Sequence, residues 1–121
     1  TGTIRRHPDV AWLKQESDIG ALAAVQKRML QKAASLLKPG GTLVYCTCSL
    51  EPEEGANQID RFLAGHPEFR RSAIDAAALG LDPAWLSAAG DLRTLPCHLA
   101  DLPAGMTGMD GFFAAKLERM A

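Results

Sequence analysis

Two cysteines, Cys46 and Cys48, stand two apart in the string Thr42-Leu43-Val44-Tyr45-Cys46-Thr47-Cys48, which is rich in β-branched, aromatic and apolar residues. Side chains alternate between faces along an extended strand, so the two thiols share one face and Thr47 takes the other. Cys48 falls at the strand's carboxyl end, just ahead of a helix start at Ser49, Glu51, Pro52, Glu53 and Glu54. In an open α/β sheet, ligands bind beyond the strand carboxyl ends, and a helix N-terminus lowers a thiol's pKa and raises its thiolate fraction. Position and electrostatics both suit a nucleophile at Cys48. The competing reading makes each thiol a small buried hydrophobe.

Other groups are weighed the same way. Cys46, Cys48, Cys97 and His98 are enough ligands for tetrahedral zinc, but Cys-x-Cys splays along one strand face and adjacent Cys97 and His98 diverge, so no metal site is assigned. Arg5 and Arg6, with Lys14 and Trp12, can grip phosphates or form a solvated loop whose tryptophan anchors it to the core. Glu51, Glu53 and Glu54 read as ordinary partners of a helix dipole rather than as an acid/base cluster. His66 before Pro67 is placed on the surface. Gly111-Phe112-Phe113 reads as core strand, with Asp110 at a loop end where it can face a ligand.

Amphipathic spacing defines the elements that position these groups. Ile19, Leu22, Val25, Met29, Ala33, Leu36 and Leu37 recur at helical steps, predicting a helix over 18–37 capped by Ser17 or Asp18 and stopped by Lys38-Pro39-Gly40-Gly41. A strand over 42–48, apolar enough for burial on both faces, precedes a helix over 52–64 that buries Ala56, Ile59, Phe62 and Leu63. A second strand over 69–74 completes a strand–helix–strand unit with a right-handed crossover. Residues 75–91 form an irregular excursion with a short helix at 82–86. A brief strand over 93–95, a loop over 99–110 and a closing strand over 111–117 follow. Residues 1–17 read as a loop with at most one helical turn.

Composition bounds the function. A chain of 121 residues is one domain or part of one, and 47% hydrophobic with 22% charged residues is globular. Thirteen Lys plus Arg against fourteen Asp plus Glu leave a net charge of -1, so any polyanion partner is held by a local patch. Three cysteines are too sparse for a disulfide scaffold and favour a reducing cytoplasm. No apolar run approaches the roughly 20 residues that span a bilayer. The N-terminus, without Met or a signal-like core, is read as a cut.

Read together, Thr1-Gly2-Thr3-Ile4-Arg5-Arg6-His7-Pro8-Asp9, Leu37-Lys38-Pro39-Gly40-Gly41-Thr42-Leu43-Val44-Tyr45-Cys46-Thr47-Cys48-Ser49, Pro52-Glu53-Glu54 and Gly108-Met109-Asp110-Gly111-Phe112-Phe113 closely resemble the C-terminal half of the catalytic domain of Nop/Sun-type (Fmu-like) RNA cytosine-5 methyltransferases. The resemblance runs in order over nearly the whole chain. Thr47-Cys48-Ser49 followed by Pro52-Glu53-Glu54 is its most specific part. It implies the C-terminal portion of a Rossmann-like, S-adenosylmethionine-dependent fold, with parallel strands and a final antiparallel strand between or beside them. It makes Cys48 the thiolate that adds to cytosine C6, so that C5 of a ribosomal or transfer RNA cytosine can take the methyl group. Arg5 and Arg6 then contact the RNA or brace the loop, and Asp110 lies at the pocket rim.

The departures matter as well. The family's Pro-Cys-Ser-Gly segment, whose cysteine helps release product, has no counterpart here, and Thr1-Gly2-Thr3 resembles the run just after it. The glycine-rich loop and acidic ribose-binding residue fall upstream in the resemblance, so no cofactor-binding residue is assigned. The expected organisation is a partial catalytic domain over 1–121: a lead over 1–17, a helix–strand–helix–strand core over 18–74, and an excursion with the closing strand over 75–121. Alone, such a piece is expected neither to bind S-adenosylmethionine appreciably nor to turn over. Its strand 42–48 presents an apolar edge that invites self-association. The rival reading is a non-catalytic module that docks to RNA or protein through Arg5, Arg6 and that edge.

Overall fold

The computed structural model describes residues 1–103 and 105–121. Four strands, β1 (Thr42–Thr47), β2 (Phe69–Ser72), β3 (Leu92–Thr94) and β4 (Phe112–Arg119), make one sheet. β4 runs antiparallel to all the others, with β1 on one side and β2 and β3 end to end on the other. β1 and β2 therefore point the same way without touching. The strand–helix–strand unit exists as expected, and the closing strand fills the slot inside it.

Among the described residues, four helices accompany the sheet: α1 (Val10–Leu13), α2 (Glu16–Leu36), α3 (Ala56–Gly65) and α4 (Ala76–Leu79). Single 3₁₀ turns occupy Pro52–Glu54 and Pro83–Trp85. α2 and α3 cover one sheet face, where Phe113, Ala115 and Leu117 of β4 alternate inward beside Leu43 and Tyr45 of β1. Leu30 and Ala34 from α2, and Ile59 and Phe62 from α3, close this core. The excursion after β2 is tied back by a buried ion pair, Arg71 Nε to Asp91 Oδ1 at 3.1 Å. Burial pushes the Asp91 carboxyl up, and the Arg71 charge opposes that shift.

Several expectations are corrected. The predicted stripe of α2 is not the packed one: Leu22, Val25, Met29 and Leu36 are exposed, whereas Leu30 and Ala34 are buried. The helix carries apolar residues on two faces, and the narrow sheet of this chain covers only one. β1 is likewise not buried on both sides, because Val44 and Cys46 face away from α2 and α3 and are exposed. α2 begins at Glu16, where the Asp18 carboxylate accepts from the Gln15 N–H at 3.0 Å, so the cap acts from inside the first turn. The helix expected over 52–64 is broken at Gly55 into a 3₁₀ turn and α3. β2 ends at Ser72, and β4 runs on through Glu118 and Arg119, which pair with Arg70 and Phe69. Trp12 does not anchor the lead, being 86% exposed. His66 is half-buried and stacks on Phe62 with centroids 4.1 Å apart.

Candidate active site

The lead segment docks against the carboxyl end of β1. The Gly2 N–H donates to the Cys48 carbonyl at 2.9 Å, and the Gly2 carbonyl accepts from the Gly111 N–H at 2.8 Å. Thr1 Oγ1 accepts from the Leu50 N–H at 2.8 Å. Residues 1–2 thus bridge the end of β1 and the start of β4 through backbone groups that need partners once buried.

Ser49 is the most heavily constrained residue of the turn. Buried at 3% exposure, it donates from Oγ to Glu54 Oε1 at 2.8 Å and accepts at Oγ from the Glu51 N–H at 3.1 Å. Its carbonyl accepts from Arg93 Nη1 at 2.7 Å. Cys48, between this anchored serine and β1, has an exposed side chain. The turn is fixed while the thiol faces solvent, the arrangement an attacking group requires. Cys46 and Cys97 are exposed as well, so none of the three thiols is the buried hydrophobe of the competing reading. The helix N-terminus expected directly behind Cys48 is replaced by the 3₁₀ turn, and α3 starts only at Ala56.

The acids after the cysteine also differ from expectation. Glu54 is buried rather than a surface dipole partner, and its carboxylate accepts from Gln26 Nε2 at 2.6 Å as well as from Ser49. Tyr45 Oη donates to the Glu54 carbonyl at 2.6 Å. Burial, then the Glu54 charge, then Cys46 push the Tyr45 phenol up to about 12. A raised phenol favours the folded state below its unfolded value of 10.0, and that contribution is lost as pH rises through about 12. Because the chain has a single tyrosine, phenolate absorbance in an alkaline titration reports this site alone. It is expected to emerge well above pH 10.0 and together with loss of helical circular dichroism; an ordinary titration in a folded chain would contradict the buried network.

Arg5, Arg6 and Asp110 are brought together. Arg6 Nε donates to Asp110 Oδ2 at 2.7 Å, Arg6 Nη2 meets the same oxygen, and Arg5 Nη2 lies 3.5 Å from Oδ1. The hydrogen bond from Arg6 holds the Asp110 carboxyl below its usual range, and Asp110 in turn holds the Arg6 guanidinium above its own. The three residues brace the lead against the loop before β4. Sequence reasoning missed Arg93 and Glu54. Arg93 carried no motif, and Glu54 was indistinguishable from its surface-type neighbours. Among the described residues, no group of three or more His, Cys, Asp or Glu is placed to hold a metal ion, and no helix is long and apolar enough to cross a membrane.

An antiparallel strand between two parallel ones is an arrangement found in Rossmann-like methyltransferase folds. Solved structures agree. The chain superposes on the crystal structure of PH0851 with TM-score 0.78 and 37% identity, covering 97% of this chain and 24% of that one. It superposes on a methyltransferase homolog protein from Pyrococcus horikoshii with TM-score 0.64 and 29% identity, covering 88% and 34%. Ribosomal RNA small subunit methyltransferase B of Sodalis glossinidius is 49% identical over 118 residues, 97% of this chain and 23% of the relative. The family model of the 16S rRNA methyltransferase RsmB/F matches residues 1–118, and the chain belongs to that family. It spans about a quarter of the length of the curated relatives it matches.

Proposed function

We propose that the chain is the nucleophile-bearing part of the catalytic domain of an S-adenosylmethionine-dependent RNA cytosine-5 methyltransferase acting on ribosomal RNA. The observation that carries this is Cys48, exposed at the carboxyl end of β1 while every neighbour in its turn is anchored. Family membership and the relatives' names support a ribosomal RNA substrate. In this reading residues 1–17 are the lead that seats the turn, 18–74 carry the strand and its helices, and 75–121 supply the closing strand.

The thiolate of Cys48 adds to C6 of a cytosine turned out of its stack, forming an S–C6 bond and moving electron density to C5. C5 is then methylated, the C5 proton is lost, and the S–C6 bond breaks to restore the ring. S-adenosylmethionine supplies the methyl group when bound, and no residue of this chain is assigned to holding it. In this reading Arg5, Arg6 and Asp110, held together by their ion pairs, form the rim over which RNA approaches. The experiment uses the full-length enzyme that carries this chain and an RNA containing a cytosine analogue that cannot complete the elimination. A covalent RNA adduct is expected, mapping by mass spectrometry to Cys48. An adduct elsewhere, or product methylated at a position other than C5, refutes the proposal.

The open edge of β1 carries no charged residue and no proline, features that otherwise blunt strand pairing. It supports self-association of the 121-residue chain. Sedimentation is expected to show dimers or larger species at high concentration, and a strictly monomeric chain argues against it.

A further inference from the structure

Arg93 of β3 lies behind the turn that carries Cys48, and its own environment is unusual. Its pairing opposite Phe113 delivers the side chain across β4, where the guanidinium carbon sits 5.1 Å from the Phe113 ring centroid. Burial pushes its pKa down, and among the described residues no carboxylate pairs with it. A partly desolvated cation without a counter-charge is costly unless other contacts compensate. Here the compensation is the aromatic face and a charge-assisted hydrogen bond to the Ser49 carbonyl at 2.7 Å. The space it fills exists because residue 55 is glycine, where a Cβ would stand 2.9 Å from Arg93 Nη2.

The contacts converge on one object. Arg93 holds the Ser49 carbonyl, Glu54 holds the Ser49 hydroxyl, and Gly2 holds the Cys48 carbonyl. Among the described residues, Arg93 bonds the Ser49 carbonyl and not the Cys48 side chain. We infer that Arg93 is a positioning residue, acting through the Ser49 carbonyl to fix the direction in which Cys48 presents its sulfur to the substrate base. The inference rests on Cys48 being the nucleophile.

The test uses Arg93→Lys and Arg93→Met in the full-length enzyme that carries this chain. A misdirected attacking atom costs rate rather than affinity. The kcat for methyl transfer is expected to fall about tenfold for Lys, which keeps the charge but loses the planar fork, and on the order of 10²-fold for Met. The KM for RNA should stay within about twofold. Amide exchange at Leu50, which donates to Thr1 Oγ1, and at Glu51, which donates to Ser49 Oγ, should accelerate while β4 amides stay protected. Gly55→Ala, which crowds Arg93 from the far side, should reproduce the Lys effect, and decides the matter if the Met variant unfolds. A raised KM with unchanged kcat overturns the inference in favour of a direct RNA contact. Unchanged exchange at Leu50 and Glu51 overturns it outright. If Cys48→Ser remains active, the nucleophile assignment fails by itself, and the exchange data still report whether Arg93 holds the turn.

Discussion

Replacing Cys48 by serine is expected to lower kcat for methyl transfer on the order of 10⁴-fold or more, the range seen when a covalent nucleophile is removed. The physical reason is the attacking atom. A thiol is partly ionised near neutral pH and intrinsically very nucleophilic, whereas a hydroxyl without an adjacent general base is weak. Nothing else should change much. The Cys48 side chain is exposed and contributes nothing to the core, so stability should stay within about 0.5 kcal/mol, as for an ordinary surface substitution. RNA retention should persist, because Arg5 and Arg6, proposed to face the RNA, are each held by Asp110 and not by Cys48. Cys46→Ser is the matched control: another exposed thiol two residues away, with an expected change in kcat of less than about threefold. Single-turnover transfer of a labelled methyl group to RNA, with thermal unfolding measured alongside, checks all three statements. Wild-type turnover in Cys48→Ser removes the nucleophile assignment and revives the reading of this chain as a non-catalytic module.

Elements were legible in the sequence wherever a short-range rule decides them. The stop after α2 needs only Pro39, Gly40 and Gly41, and Gly40 indeed takes φ 76°. The strand character of 42–47 follows from β-branched and apolar residues, but the strand ends at Thr47, so Cys48 sits in the bend just past it and strand alternation fixes only Cys46. What is packed against what was less legible. α2 has two apolar stripes, and helical periodicity cannot say which one a sheet will take; Leu30 and Ala34 took the core while Met29 and Leu36 remained open. The break at Gly55 was hidden for a similar reason. Pro52-Glu53-Glu54 is a good first turn by local rules, but the Glu54 carboxylate is drawn inward to Gln26 and Ser49, partners on other segments. Cys48 stood out as a candidate from its position and the motif around it, and its side chain is exposed. Arg93 was invisible because its partner, the Ser49 carbonyl, is a backbone group far away in sequence.

Gly2→Ala is expected to loosen the turn of Cys48 from the opposite side. Gly2 is buried, and a Cβ there would collide with the Gly111 carbonyl oxygen and lie 2.5 Å from the Cys48 carbonyl oxygen. Both obstacles are backbone atoms of strand ends, which cannot swing aside as a side chain can. Gly111→Ala is the informative comparison. Its Cβ would meet chiefly the Leu50 side chain, with Cγ at 2.8 Å, and Gly2 Cα only at 3.0 Å, so rotation of Leu50 relieves most of the clash. In the Gly2 variant the lead must leave its seat, giving up the bonds from the Gly2 N–H to Cys48 and from the Gly111 N–H to Gly2, each worth about 1 kcal/mol. The expected loss is about 2–3 kcal/mol for Gly2→Ala, the upper range for overpacking, and about 1 kcal/mol for Gly111→Ala. The loss is local. The core of Ile59, Phe62, Phe113 and Leu117 does not include the lead. Amide exchange at Gly111 and Leu50 should therefore rise far more than exchange in α3, and activity of the full-length enzyme should fall with it. If Gly2→Ala leaves exchange at Gly111 and Leu50 as in the unaltered chain, the lead does not seat the turn of Cys48, and its docking is dispensable.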